Sequence, residues 1–142
     1  SMGQRKKAYI AFAMATNTKY VFMDEPTNGL DIPSKSQFRK VIARHMTEER
    51  TVIVSTHQVH DVEQMLDHIL ILNQRSVLLN SSMQDIMDKY TFEYRTPQEM
   101  NDDVLYAEPT LQGNAVVAER KEGAAETQVN LELLFNYITA KN

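Results

Sequence analysis

The sequence predicts an α/β fold in which parallel strands alternate with helices. Two segments, residues 20–23 and 51–55, are almost continuously apolar, which is typical of strands buried on both faces of a parallel sheet. Helix-forming segments lie before and between them, and this alternation indicates an α/β layer. The chain has 142 residues, 42% of them hydrophobic, which is enough for one core or two small ones.

The composition excludes several kinds of site. The sequence contains no Cys, so disulfides, zinc–thiolate sites and cysteine nucleophiles are excluded. It carries 15 Lys and Arg against 19 Asp and Glu, and the formal net charge of −4 argues against a non-specific nucleic-acid binder, so we expect no nucleic-acid partner. The longest unbroken apolar run, residues 8–15, is far shorter than the roughly 20 residues that span a bilayer. A membrane role would therefore need a partner.

The first half of the chain alternates between helix and strand. Ala and Met, which favour helices, are abundant at the start, and Asn17 ends that run. The first strand stops at Asp24, and turn-forming residues follow it. The second helix would bury a face made of Phe38, Val41, Ile42 and Met46. The predicted elements are a helix over 2–17, a strand over 20–23, a loop over 26–33, a helix over 34–48, a strand over 51–55 and a helix over 59–66.

The second half begins with an apolar hairpin, and after Tyr90 the sequence pattern changes to short apolar runs with polar connections. Ser82 can cap a short helix. We place a boundary there, with one α/β domain over 1–90 and a small α+β appendage over 91–142. The predicted elements are strands over 68–72 and 76–79, a helix from 82 to about 90, strands over 92–95, 104–107 and 114–120, and a helix over 131–140 whose apolar face carries Leu131, Leu134, Phe135 and Ile138.

Two carboxylates follow the first strand directly. Side chains at the carboxyl end of a parallel strand face the crevice where ligands of open α/β sheets bind. Asp24 there can hold Mg²⁺, often through water, and Glu25 can polarise an attacking water. The alternative is a strand that ends in a solvated acidic turn. The following residues, Pro-Thr-Asn-Gly-Leu-Asp, favour the functional interpretation.

A histidine follows the second strand in the same way. If the two strands are neighbours, His57 and Glu25 lie at one edge of the sheet. A histidine there can hydrogen-bond a γ-phosphate or hold the attacking water, although a surface histidine capping the next helix is the alternative. We interpret His45, His60 and His68 as solvated or structural, since no acidic pair accompanies them.

The segment Ser1-Met2-Gly3-Gln4 opens a helix, and free N–H groups at a helix N-terminus bind phosphate. An ordinary capped helix start or a cloning remnant is the alternative. Together these segments resemble the ATP-binding cassette family. Residues 1–4 resemble the end of its Leu-Ser-Gly-Gly-Gln signature, with Met2 at a position that is usually Gly. Residues 20–25 look like the Walker B strand, residues 28–31 like the D-loop, and His57 like the switch histidine.

The resemblance implies the C-terminal half of a partial P-loop NTPase core, with ATP and Mg²⁺ as cofactors. It implies catalytic roles for Glu25 and His57, a magnesium role for Asp24, and nucleotide contacts from Ser1, Gly3, Gln4 and Asp31. Ser1 and Gly3 would face a nucleotide on a second ATPase subunit. It further implies a homodimer, transmembrane permease partners, and a peripheral position at the cytoplasmic face of the cell membrane.

The phosphate loop G-x-x-x-x-G-K-[ST] is missing, because none of the four glycines has a second glycine five residues later. We therefore expect these 142 residues to be inactive alone. Residues 130–135 resemble the Leu-Glu-x-x-Phe helix that closes bacterial multidrug, antibiotic or polysaccharide exporters, which favours an exporter. The alternatives are a soluble cassette ATPase acting in translation or DNA maintenance, and an interaction module in residues 91–142. Residues 91–129 match no motif.

Overall fold

The computed structural model describes residues 1–141, and the chain divides into two units, Ser1–Met65 and Leu66–Asn142. The boundary predicted near residue 90 lies inside the second unit, where a short helix meets the first strand of a sheet. An accessory role for residues 91–142 stays a prediction.

The first unit contains the predicted parallel strand pair. Strand β1 (Tyr20–Asp24) pairs in parallel with β2 (Thr51–Ser55), and the register aligns Asp24 with Ser55. Helix α1 (Met2–Ala15) precedes β1, and α2 (Ile32–His45) connects the two strands and packs against α1. The α/β prediction is confirmed, and both strands end at one edge. The buried apolar side chains of this unit are Ile10, Met14, Val21, Met23, Leu30, Phe38, Ile42 and Val62.

One face of the two-stranded sheet is open. Val21 and Met23 are buried, whereas Tyr20 is 57% and Phe22 is 74% exposed. The expectation that these strands are buried on both faces is therefore wrong for this unit. Successive side chains of a strand point to opposite faces, and the core side chains of residues 1–65 cover only one of them.

Two helix predictions need correction. Helix α2 begins at Ile32 because Asp31 caps it, and it ends at His45, so Met46 is exposed and does not belong to the buried face. The helix predicted over 59–66 forms two separate 3₁₀ turns, Val59–Asp61 and Glu63–Met65. So short a segment gains too few hydrogen bonds to offset the cost of nucleating an α-helix, and no side chain caps it at Gln58.

A buried arginine holds the ends of both helices of the first unit. Arg50 is 7% exposed, and its guanidinium donates to the carbonyl oxygens of Met14 at 3.0 Å, of Ala13 at 3.4 Å and of His45 at 3.3 Å. These carbonyls are the last of α1 and α2 and lack helical partners. A cation there also complements the negative end of each helix dipole.

The second unit consists of antiparallel strands and two helices. Strand β3 (His68–Leu72) pairs with β4 (Val77–Ser82), and α3 (Met83–Lys89) follows with Ser82 as its cap, which confirms both predictions. A three-stranded sheet has β7 at its centre, between β5 and β6. Its strands and the remaining elements are β5 (Tyr90–Arg95), a 3₁₀ turn (Pro97–Glu99), β6 (Val104–Thr110), β7 (Gly113–Glu119) and α4 (Leu131–Ala140).

Helix α4 packs on this sheet through a face that is slightly rotated from the predicted one. Leu134 is fully buried, as are Val116 and Val117 of β7. Phe135, predicted on the buried face, is 44% exposed, and Tyr137 is buried instead. Tyr137 lies within ring-contact distance of Tyr90 and Tyr106, so this aromatic cluster packs on the side of α4 that faces the sheet.

Candidate functional site

Glu25 and His57 contact each other at the edge where β1 and β2 end. Nδ1 of His57 lies 2.5 Å from Oε1 of Glu25, and the main-chain N–H of His57 donates to the same oxygen at 3.0 Å. The hydroxyl of Thr56 donates to Oε2 at 3.0 Å. The parallel register brings these residues together, because Glu25 and Thr56 immediately follow the aligned pair Asp24 and Ser55.

These donors keep the Glu25 carboxylate ionised. Partial burial raises the pKa of Glu25, but the hydrogen bonds from the His57 side chain, the Thr56 hydroxyl and the His57 main chain outweigh it. The pKa of Glu25 therefore lies below its ordinary value of 4.5. At neutral pH the site presents an oriented carboxylate with an exposed imidazole beside it, since the His57 side chain is 75% exposed.

The contact between Nδ1 and Glu25 leaves Nε2 of the ring available for a further partner. In the neutral tautomer that donates from Nδ1, Nε2 is an acceptor, and in the imidazolium both nitrogens are donors. The pair can therefore orient a water molecule between a carboxylate and an imidazole, or contact a phosphate oxygen through the imidazolium.

The backbone of Glu25 is strained. Its φ of +46° lies in the left-handed region that residues other than glycine rarely adopt. Its N–H donates to the Ser55 carbonyl at 2.7 Å, and its carbonyl accepts from the Asn28 N–H at 3.3 Å. The strand ladder thus continues one residue beyond β1 before the chain turns, and this turn aims the carboxylate at His57.

Asp24 is the exposed last residue of β1, and its carboxylate forms no hydrogen bond with other residues of the described range 1–141. Within that range, no group of three or more His, Asp or Glu side chains could hold a metal ion. Asp24 alone cannot complete a Mg²⁺ site. It suits a cation whose other ligands are water and phosphate oxygens, which is the arrangement that Mg²⁺ prefers.

The loop after Glu25 is held by its own turn residues. Gly29 has a φ of +79°, which glycine adopts without strain. Asp31 caps α2 by accepting from the Ser34 N–H at 2.9 Å, and this contact with Ser34 holds the pKa of Asp31 below its ordinary value. A structural role for Asp31 is therefore visible, and its predicted nucleotide contact stays a prediction.

The start of α1 lies beside this loop. Ser1 caps α1 by accepting from the Gln4 N–H at 3.2 Å, and the Gln4 side chain accepts from the Ser1 amino group in return. Lys6 donates to the Asn28 carbonyl at 2.7 Å. A Cβ built on Gly3 would stand 3.9 Å from the Gly29 carbonyl oxygen, so the two segments approach closely.

Some polar groups of residues 1–4 are already hydrogen-bonded in the N-terminal cap of α1. The hydroxyl of Ser1 is occupied by Gln4, whereas the N–H groups of Met2 and Gly3 lie in the first turn, where no helical carbonyl is available. Those two N–H groups are the ones that could meet an anion. Nucleotide contacts by Ser1, Gly3 and Gln4 stay predictions.

The remaining histidines have separate surroundings. His45 contacts the Val41 carbonyl through Nδ1 at 2.8 Å, and His68 contacts the Asn80 side chain through Nε2 at 2.6 Å. His60 pairs with Glu63 at 3.4 Å. All three rings contact nearby main-chain or side-chain oxygens, in keeping with a structural interpretation.

Sequence reasoning missed three residues around Glu25. Thr56 binds its second oxygen, and Thr27 donates at 2.9 Å to Asp61, which lies after His57 in sequence. The position of Thr56, directly between a strand and a histidine, could have indicated its contact with Glu25. No sequence signal joins Thr27 to Asp61, because they are 34 residues apart and no periodicity relates them.

Known proteins resemble this chain over a large part of its length. The energy-coupling factor transporter ATP-binding protein EcfA2 of Ligilactobacillus salivarius is 34% identical over 87 residues, which are 61% of this chain and 30% of that protein. The cobalt import ATP-binding protein CbiO of Salmonella paratyphi A is 32% identical over 82 residues, 58% of this chain and 30% of its own length. An ABC transporter ATP-binding protein of Methanocaldococcus jannaschii is 27% identical over 135 residues, 94% of this chain and 50% of that protein.

A solved structure shows the same fold. A metal-chelate type ABC transporter in an inward-facing conformation superposes with a TM-score of 0.50 at 20% identity, covering 86% of this chain and 48% of that chain. No family model matches the sequence. The chain spans from about a third to half the length of the curated relatives described above. None of the helices within residues 1–141 is long and apolar enough to cross a membrane.

Proposed function

We propose that this chain, which is similar to the ATP-binding proteins of ABC transporters, is the C-terminal half of a cassette ATPase domain and carries the hydrolytic residues of a transport ATPase. The observation that carries the proposal is the convergence of Thr56 and His57 on the two oxygens of Glu25. An ionised carboxylate held in one orientation beside an imidazole is suited to directing water at a phosphorus atom.

In this proposal Glu25 accepts a hydrogen bond from the attacking water and polarises it. His57, with Nδ1 held by Glu25, presents Nε2 to the water or to a γ-phosphate oxygen. Asp24 would hold Mg²⁺ through water, and a bound ion there would supply positive charge to neutralise the triphosphate. Ser1, Gly3, Gln4 and Asp31 contact nucleotide at an interface with a second ATPase subunit.

The whole protein, in this proposal, pairs two ATPase subunits and couples ATP hydrolysis to transmembrane permease partners, from a peripheral position at the cytoplasmic face. Support comes from the relatives, which are named as transporter ATP-binding proteins. The same names favour transport over the alternative of a soluble cassette ATPase in translation or DNA maintenance.

We propose export as the direction of transport, on the resemblance of residues 130–135 to the helix closing exporter subunits. Import is a second candidate, because one relative is named as a cobalt import protein. Uptake measured in right-side-out and inverted membrane vesicles separates the two. ATP-driven accumulation in inverted vesicles supports export, and accumulation only in right-side-out vesicles loaded with ATP supports import.

The decisive test of the ATPase proposal is steady-state ATP turnover by the full-length protein with Mg²⁺. Glu25→Gln removes the charge and keeps the shape, so turnover should fall by roughly 10²–10⁴-fold while ATP binding persists. Glu48→Gln, at an exposed position of the α2–β2 connection, is the matched control and should leave turnover unchanged. Undiminished hydrolysis by the Glu25 variant would remove this residue from the reaction.

A further inference from the structure

Asp61 connects the loop that follows Glu25 with the turn that follows His57. Thr27 is fully buried, and its hydroxyl donates to Oδ2 of Asp61 at 2.9 Å. The same oxygen accepts from Nζ of Lys35 at 2.9 Å, and Arg39 donates to the main-chain carbonyl of Asp61 at 3.2 Å. The Asp61 carboxylate, whose side chain is only 16% exposed, thus meets one buried hydroxyl and one cationic side chain of α2, while a second cationic side chain of α2 binds the Asp61 main chain.

Thr27 lies two residues after Glu25, whose backbone is strained. Glu25 has a φ of +46°, and a residue other than glycine stays in that region only where the surrounding structure holds it. On its N-terminal side Glu25 is held by the β1–β2 ladder through Ser55. On its C-terminal side, Thr27 is the first side chain with a hydrogen bond to a distant part of the unit, and that bond goes to Asp61.

The Thr27–Asp61 hydrogen bond also restrains the segment that follows His57. Asp61 closes the 3₁₀ turn that begins two residues after His57, and the Asp61 N–H donates to the Gln58 carbonyl at 3.1 Å. Gln58 also reaches the Asn28 side chain at 3.4 Å. The segment after His57 and the segment after Glu25 are therefore tied together twice, and the buried bond is the shorter tie.

We propose that the Thr27–Asp61 hydrogen bond is a positioning element that holds Glu25 and His57 in contact. Thr27 and Asp61 act through the pair and touch no reacting atom. The effect on turnover rests on the proposed ATPase function, whereas the effect on the Glu25–His57 contact does not. Thr27 is the sharper position to test, because its hydroxyl has one partner while Asp61 also binds Lys35.

The first experiment uses this chain and measures amide hydrogen exchange. The His57 N–H, which donates to Glu25, reports on the contact, and the amides of β1 and β2 report on the stability of the unit. Thr27→Val removes the donor and keeps the shape, so exchange at His57 should accelerate about tenfold while the strand amides change less than about twofold. Thr27→Ser keeps the donor and should restore the slow exchange.

Two further variants distinguish positioning from general stabilisation. Lys35→Met removes the ion pair with the same carboxylate without touching Thr27, and it should leave His57 exchange unchanged. Asp61→Ala removes the acceptor and should reproduce the local acceleration, so the test does not depend on one variant folding. Equal acceleration at His57 and throughout β1 and β2, or no acceleration at all, would overturn the proposal.

The second experiment measures ATP turnover in the full-length protein. Misplacing a reacting group by a fraction of an ångström slows chemistry more than it weakens binding, so Thr27→Val should lower kcat about tenfold with KM for ATP nearly unchanged. Thr27→Ser should recover kcat. A rise in KM at constant kcat contradicts positioning. If the parent protein shows no turnover that depends on Glu25, the ATPase proposal fails, and the exchange experiment still decides the role of Thr27.

Discussion

His57 and Glu25 are 32 residues apart in sequence, yet Nδ1 and the main-chain N–H of His57 both meet the same oxygen of Glu25. Thr56 occupies the other oxygen. Three donors from two adjacent residues thus hold one carboxylate at the end of a parallel strand pair. This arrangement lowers the pKa of Glu25, which can be measured.

Replacing His57 with Ala should raise the pKa of Glu25. The wild-type pKa lies below 4.5 because hydrogen bonds outweigh the effect of burial, and the His57 side chain is the largest of the lowering contributions. Carboxyl ¹³C titration of this chain by NMR measures the change. His45→Ala is the matched control, since that ring contacts the Val41 carbonyl and not Glu25. A pKa that stays put or falls in the His57 variant contradicts the geometry.

The chain by itself should bind ATP weakly or not at all. Only four glycines are present, and their spacing allows no phosphate loop, so the backbone cradle for the β- and γ-phosphates is absent from this sequence. Isothermal calorimetry with Mg²⁺ and ATP tests the expectation. A micromolar dissociation constant would mean that residues other than a phosphate loop bind the nucleotide.

Substituting Arg50 with Met should destabilise the first unit by about 2–3 kcal/mol. The substitution keeps most of the apolar stem but removes the charged donors from the carbonyls of Met14 and His45 at the ends of α1 and α2. Urea unfolding followed by circular dichroism measures the loss. Arg44→Met, at an exposed position in the last turn of α2, is the control and should cost less than about 1 kcal/mol. Equal costs for the two variants would show that the carbonyl contacts contribute little.

The second unit should lose stability in acid through Asp103. Arg95 binds both oxygens of Asp103, at 2.8 and 3.0 Å, and chiefly through these hydrogen bonds lowers the pKa of Asp103 from 3.8 to about 2. A carboxyl whose pKa is lower in the folded state stabilises the fold above its ordinary pKa, and that contribution disappears as the pH falls from about 4 towards 2.

Asp103→Asn should therefore reduce stability at neutral pH and flatten the dependence on pH in that interval. Urea midpoints measured at several pH values test this, and Asp102→Asn, at the exposed neighbouring position, should keep the wild-type profile. An unchanged slope in the Asp103 variant would assign the acid sensitivity to other groups.

The isolated chain should self-associate through the open face of the β1–β2 sheet. Tyr20 and Phe22 alternate with buried residues of β1, Ile53 lies between half-buried residues of β2, and all three are at least 44% exposed. Such a face drives association in water. Light scattering at increasing concentration should give masses above the 16.3 kDa of one chain, and Phe22→Ser should reduce them. A constant monomer mass contradicts this prediction.

Local sequence signals were sufficient for most elements. Continuous apolar runs identified β1 and β2, Ser82 marked the start of α3, and the apolar spacing of residues 131–138 indicated α4, because caps and periodicity act within a few residues. The proximity of Glu25 and His57 was also predictable, since parallel neighbours end at one edge. Amphipathic character was less reliable, as the exposed Phe135 shows, because the face a helix buries depends on what packs against it.

What the sequence by itself determined is the order of the elements and the two polar strand ends, because both follow from residue type and short spacing. Only the tertiary structure decided that Thr56 holds Glu25, that Thr27 binds Asp61, and that one face of the sheet stays open. These features join residues about 30 or more apart, or depend on which side chains cover a surface. The physical reason is that hydrogen bonds and burial between distant segments depend on how the whole chain packs, and no local periodicity encodes that packing.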